Sequence, residues 1–225
     1  APAATLEERA FFEYHLYTLQ RPATLPDQST RQLQLLPAAQ GLSCSKELVF
    51  APTLRQAFHG HHQLDQDYAR YQQGDVEVYL QFENNEDNAL GVPLPAGRIR
   101  VMQADRADDS LEFIGEDVID HTPRNEEVRI TMGNAFDVVG ERRQTDFRID
   151  TRTRNLWESF EIRLRNHKPE AVEITVLESL YRTANWAIED ASEAHVKERS
   201  DRIRFTVTVP PDGESVIRYT AHYDW

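Results

Sequence analysis

The densest set of chemically capable side chains lies in Phe58-His59-Gly60-His61-His62-Gln63-Leu64-Asp65-Gln66-Asp67, where three imidazoles fall close together and two carboxylates follow. Imidazole nitrogens and carboxylate oxygens are the donors that zinc, nickel and copper accept. In an extended chain His59 and His61 share a face, while Gly60 lets the backbone curl. Neither an HExxH helix motif nor a recognisable distant ligand motif accompanies them. The segment is therefore expected to be a solvated, variable loop, with His59, His61 and His62 kept as candidate metal ligands.

Other groupings carry less chemistry. Glu83 to Asn88 (ENNEDN) and Asp105 to Asp109 (DRADD) offer the hard oxygens calcium prefers, but neither fits a helix–loop–helix calcium loop. Asn and Asp clusters also form turns unaided, which is the expectation here. Gly133 to Arg142 (GNAFDVVGER) lacks the spacing of a phosphate-binding loop. It reads instead as a tight interdomain corner, with Gly133 and Gly140 supplying unusual dihedrals, Phe136 a core anchor, and Glu141 and Arg142 ion-pair partners. No G-x-S-x-G elbow is present, Cys44 sits between two serines as a small packed residue, and Glu116 and Asp117 point to opposite faces of a strand. No enzyme and no cofactor are expected.

The elements that would position these residues are strands. Runs rich in Val, Ile, Phe, Tyr and Thr recur between turn residues: Phe12–Leu19, Thr30–Leu36, Ser45–Phe50, Val76–Phe82, Arg98–Gln103, Leu111–Ile114, Asp117–Asp120 and Glu127–Met132. Gln56 to Gln73 breaks the pattern and reads as a loop with a helical turn. The second half predicts strands over Gln144–Ile149, Leu156–Arg165, Ala171–Leu177, Trp186–Asp190, His195–Glu198, Arg202–Val209 and Ser215–Tyr223. Asn166-His167-Lys168-Pro169-Glu170 and Pro210-Pro211-Asp212-Gly213-Glu214 supply turns between them. That count and spacing is the immunoglobulin-like pattern. The expected fold is all-β: a flexible lead-in over 1–10, a β-sandwich over 11–141 and an immunoglobulin-like β-sandwich over 142–225, joined stiffly near Arg142.

Composition bounds the partners. The 225 residues carry 38 acidic against 25 basic side chains, a formal charge of −13. Such a balance disfavours nucleic acid or anionic lipid as a partner. Only three basic residues are lysines (Lys46, Lys168, Lys197), leaving arginine available for bidentate pairing with carboxylates. No run of apolar residues is long enough for a membrane helix. The aromatic end Tyr219, Tyr223, Trp225 resembles a barrel strand, but the outward positions include Arg218 and His222 and most strands are too charged for a lipid face, which favours a soluble sandwich.

Several stretches resemble a known family. Phe11 to Tyr17 (FFEYHLY), Ile114 to Asp117 with Asp120 to Pro123, GNAFDVVGER, Glu161 to His167 (EIRLRNH) and Pro210 to Glu214 (PPDGE) are similar to the domain of unknown function that forms the C-terminal half of bacterial proteins like mucoidy inhibitor A. The resemblance runs from Phe11 to Trp225 and is most specific in GNAFDVVGER. It implies an exported protein, periplasmic, cell-surface or extracellular, and a chain start produced by processing or excision. It carries over no catalytic residue. The function expected is a non-enzymatic binding or assembly module with a protein partner or self-association. The alternative is a metal-dependent or carbohydrate-binding module using the His59–His62 loop or aromatics around Trp157 and Trp186.

Overall fold

The computed structural model describes residues 7–12, 14–18, 24, 26–30, 39, 41–53, 60–105 and 107–225. The expected strand over Thr30–Leu36 and the candidate ligand His59 thus fall largely or wholly outside the described residues. Among those described, the chain is all-β, with thirteen strands, one short 3-10 turn and no α-helix. Among the described residues no helix is long and apolar enough to cross a membrane. Two compact units interleave in sequence, one from 1–45 and 81–130, the other from 46–80 and 131–225. Arg142, the expected junction, lies within the second unit, inside a strand.

A nine-stranded sheet holds the larger core. Its members are β3 (Ser45–Phe50), β4 (Tyr71–Glu83), β7 (Glu127–Asp150), β8 (Asn155–Asn166), β9 (Val172–Ser179), β10 (Asn185–Ala191), β11 (His195–Arg199), β12 (Arg202–Val209) and β13 (Gly213–Asp224). Their order is β10-β13-β8-β7-β4-β3-β9-β12-β11. β3 and β12 coincide with the runs read from sequence, because both alternate or cluster β-branched and aromatic residues between clear turns. β3 runs parallel to β9, whereas the β7–β8, β8–β13, β13–β10, β9–β12 and β12–β11 pairs are antiparallel.

Period-two alternation turns one face of each strand inward. β12 buries Ile203, Phe205, Val207 and Val209, and β13 buries Ile217, Tyr219, Ala221 and Tyr223. These strands are eighth and second in the order, yet Phe205 and Tyr219 have ring centroids 5.7 Å apart. The sheet therefore folds over and buries one face against itself. Each of the buried Val, Ile and Phe side chains contributes roughly 1.5–3 kcal/mol by leaving water. The two edge strands also meet: Trp186 on β10 donates its indole N–H to the Ser200 carbonyl at 2.8 Å, and Lys197 of β11 lies 4.3 Å above its ring. Buried Asn166 ties the two expected turns together, donating to Glu170 O and Pro210 O and accepting from Lys168 N.

GNAFDVVGER is strand rather than corner, wholly within β7. Gly133 does take φ +95°, but Gly140 is needed for space: a Cβ there would overlap the buried Phe50 ring. Near Gly133 the inward–outward alternation slips. Ala135 packs on the core and Phe136 is 97% exposed, so Phe136 is not the anchor its size suggested.

The other unit contains two hairpins, β1 (Glu7–Phe11) with β2 (Tyr14–Thr18), and β5 (Gly97–Ala104) with β6 (Leu111–Ile119). β6 merges two runs expected to be separate, with a register irregularity where Met102 pairs Phe113. Asparagines organise the intervening segment. Asn84 is buried, donating to Val92 O at 2.7 Å and Pro123 O at 2.9 Å and accepting from Gly91 N, while Asn85 caps the 3-10 turn through Asn88 N.

Candidate functional site

The inward positions of the large sheet are not all apolar. β7 presents Arg142 and Gln144, β8 presents Glu158, β9 presents Glu178, and Arg182 follows β9; all are buried. Arg142 Nε donates to Glu178 Oε2 at 2.7 Å, and the Tyr219 hydroxyl donates to the same oxygen at 2.5 Å. The Arg142 guanidinium carbon lies 3.5 Å over the Phe160 ring. Arg182 grips Glu158 with two bonds, Nε to Oε2 at 3.1 Å and Nη2 to Oε1 at 2.5 Å. Gln144 Nε2 joins Glu158 Oε1 at 2.7 Å.

Arg142 Nη2 reaches the Tyr219 hydroxyl at 3.4 Å, and the other donors point at one stretch of backbone. Arg182 donates to the carbonyls of Gln63, Asp65 and Tyr68, Arg142 to that of Ala69, and Gln144 to that of Gln66. The Gln144 and Gln63 amides return bonds to Arg70 O and Arg182 O. A non-ladder segment laid over a core needs donors for its carbonyls, and guanidinium supplies five in a fixed fork. The network is thus a clamp that seats the segment 63–70.

Its electrostatics fit that role. Burial pushes the Glu178 carboxyl above the ordinary range, against the pull of Arg142. Burial opposes charge on both arginines, yet Glu178 beside Arg142 and Glu158 beside Arg182 keep them more basic than usual. Burial also pushes Tyr181 up to about 12 and Tyr219 and Tyr223 well above the ordinary phenol. The Arg142, Glu178, Arg182 and Glu158 side chains are at most 1% exposed, so each charge answers to its buried partner rather than to solvent.

The histidine loop rides on this clamp. His61 and His62 are exposed, with the His62 ring 5.8 Å from that of Trp225. Asp67 pairs with Arg70 at 3.1 Å, and Asp65 Oδ1 accepts from Asp67 N. Among the described residues no group of three or more His, Cys, Asp or Glu side chains is placed to hold a metal ion.

The acidic tips behave as turns. Asp105 Oδ1 accepts from Ala107 N and Asp108 Oδ1 from Ser110 N; the latter bond lowers the Asp108 pKa. Cys44 is an exposed free thiol at an open cleft of ≈ 490 Å³ that Glu83, Asp87 and Glu127 also line. Trp157 and Trp186 do not share a cleft. Strand register pairs Trp157 with His222 and Ala187 on one face, and Trp186 with Tyr223 and Leu156 on the other. Trp157 is itself covered, by Arg148 at 3.9 Å and by the His222 ring stacked at 4.7 Å. Glu116 and Asp117 diverge as the strand period requires, Glu116 turning to Arg98 and Arg100.

The clamp escaped sequence reading because its members are far apart along the chain. The available signal was polar residues at inward strand positions, Glu158 among Leu156, Phe160 and Ile162 above all. Among the described residues the fold is all-β, and its interior holds two ion pairs, Arg142 with Glu178 and Arg182 with Glu158. Comparison with protein-family models and with curated proteins finds no match.

Proposed function

We propose that the chain is a non-enzymatic protein-docking module of the bacterial envelope or extracellular space, built from two β-sandwich domains. In this reading the domain with the nine-stranded sheet is immunoglobulin-like. The fold-over that brings Phe205 to Tyr219 supports a sandwich, and the run of strands from β7 to β13 supports the immunoglobulin-like class. The resemblance to the C-terminal half of proteins like mucoidy inhibitor A supports the compartment.

One observation carries the docking role. The β5–β6 ribbon turns Met102, Leu111, Phe113 and Val118 to solvent, 46%, 63%, 55% and 65% exposed. Register places all four on one face: Met102 opposite Phe113, Ala104 opposite Leu111, and Arg98 opposite Val118. An apolar face of that kind marks an interaction site, and a two-stranded ribbon gains stability from a third surface. A photo-cross-linking amino acid at position 113, introduced in cells of the source organism, tests the reading. Discrete protein adducts from position 113, and none from the outward Thr206 of β12, support it; no adduct from 113 refutes it.

A further inference from the structure

We infer that the occupant of the β5–β6 face is the same face of a second copy, packed antiparallel about a two-fold axis near the Met102–Phe113 pair. This rests on the docking role proposed for the ribbon. It adds the identity of the partner.

The inference comes from how charge is distributed along the ribbon. At its base, Arg98 and Arg100 stand on the exposed face with Glu116 between them, an excess of positive charge. At its tip, the turn carries Asp105, Asp108 and Asp109, and the sequence from 105 to 110 has one basic residue against three acidic ones, an excess of negative charge. Between the ends lie Met102, Phe113 and Leu111. The opposite face is already in use, with Ile119 buried and Ile99 and Val101 half-buried. A two-fold axis across the middle lays each acidic turn over the other copy's basic base, and apolar centre on apolar centre. Stacking in the same direction would oppose turn to turn and base to base. An isologous contact requires such self-complementarity, and here it is written along a single hairpin.

The face is small. Strands of eight and nine residues rising about 3.4 Å per residue give a ribbon roughly 27–30 Å long. A single ribbon face falls short of the roughly 800 Å² per partner of a standard stable interface, so the dimer is weak and association sits in roughly the micromolar range.

Sedimentation velocity of the full chain over a concentration series, at low and moderate salt, is the test. Wild type is expected to rise from 26.0 kDa towards twice that mass. R98E/R100E and D108K/D109K are each expected to weaken self-association at least tenfold, since each opposes like charges. An equal mixture of the two restores it, because every opposed pair is then unlike; that restoration also shows that both variants fold. Phe113→Glu, with its circular dichroism unchanged, should remain monomeric. A wild type that stays monomeric throughout, or charge reversals without effect, overturns the inference. If wild type is monomeric but position 113 still cross-links to a different protein in cells, the self-pairing fails and the docking role stands. If position 113 gives no adduct at all, both fail.

Discussion

Arg182 and Glu158 face each other across the interior of the larger unit, both fully buried, joined by bonds of 3.1 and 2.5 Å. A buried pair of this kind adds little net stability over a well-packed apolar pair, because both ions have left water. Its consequence is positional. The guanidinium N–H groups not used on Glu158 satisfy three carbonyls of the 63–70 segment, which follows directly on His61 and His62.

Removing one partner strands the other. Arg182→Met leaves Glu158 as an uncompensated buried charge and frees the carbonyls of Gln63, Asp65 and Tyr68. The expected cost is about 3–5 kcal/mol in chemical denaturation. Amide exchange should accelerate at Gln63, Tyr68 and Arg70 ahead of the β8 and β13 amides. Equal acceleration everywhere, or a cost below about 1 kcal/mol, would show that the segment is held by something else.

Tyr181 supplies a test with a pH axis. Its hydroxyl is buried without a hydrogen-bond partner, so Tyr181→Phe should leave stability unchanged or raise it by up to about 1 kcal/mol. Its folded-state pKa, raised by burial from 10.0 to about 12, means the neutral phenol is the form the fold accepts. That contribution is complete below pH 10 and is lost as pH rises towards 12. Denaturation midpoints should therefore fall between those values, less steeply in Tyr181→Phe. Tyr219 and Tyr223, raised in the same direction, keep some slope in the variant. A midpoint that stays flat to pH 12 would contradict the burial.

Gly140→Ala tests the close approach on β7. The added methyl overlaps the Phe50 ring, and that ring is itself fully buried. Overpacking of this kind costs about 1–3 kcal/mol, seen as a lower melting temperature. Gly41→Ala, with nothing near the added carbon but a φ of +71°, separates dihedral strain from crowding.

Chelation bears on the histidine loop. Since Arg142, Arg182 and Gln144 seat the segment 63–70, EDTA should leave the melting temperature within a degree or so of its starting value. A fall of several degrees, reversed by zinc and absent in His61→Ala/His62→Ala, would make the loop a metal site.

Much of the fold was legible because its signals are local. Ser45–Phe50 and Arg202–Val209 show themselves by alternation and flanking turns, and the all-β class follows from many such runs. Phe136 and Gly140 were misread because size and residue type do not reveal register: a positive φ at Gly133 precedes a slip that turns Ala135 inward and Phe136 out, and Gly140 is dictated by a ring about ninety residues earlier in the chain. The buried clamp depends on pairings such as Arg142 with Glu178 and Arg182 with Glu158, which only the folded strand order brings together. The ribbon face lay in plain sequence, but Met102, Leu111, Phe113 and Val118 share a side only through the register irregularity of β6.

The most direct test of the docking role is hydroxyl-radical footprinting, comparing the protein in its native cellular setting with the dilute purified chain. Phe136, 97% exposed and on a different strand, is the internal reference. The account predicts that Met102 and Phe113 oxidise readily when dilute and are protected severalfold in the native setting, while Phe136 reacts alike in both. Equal reactivity of Phe113 and Phe136 in the two settings would mean that nothing covers the ribbon, and the docking role would fall.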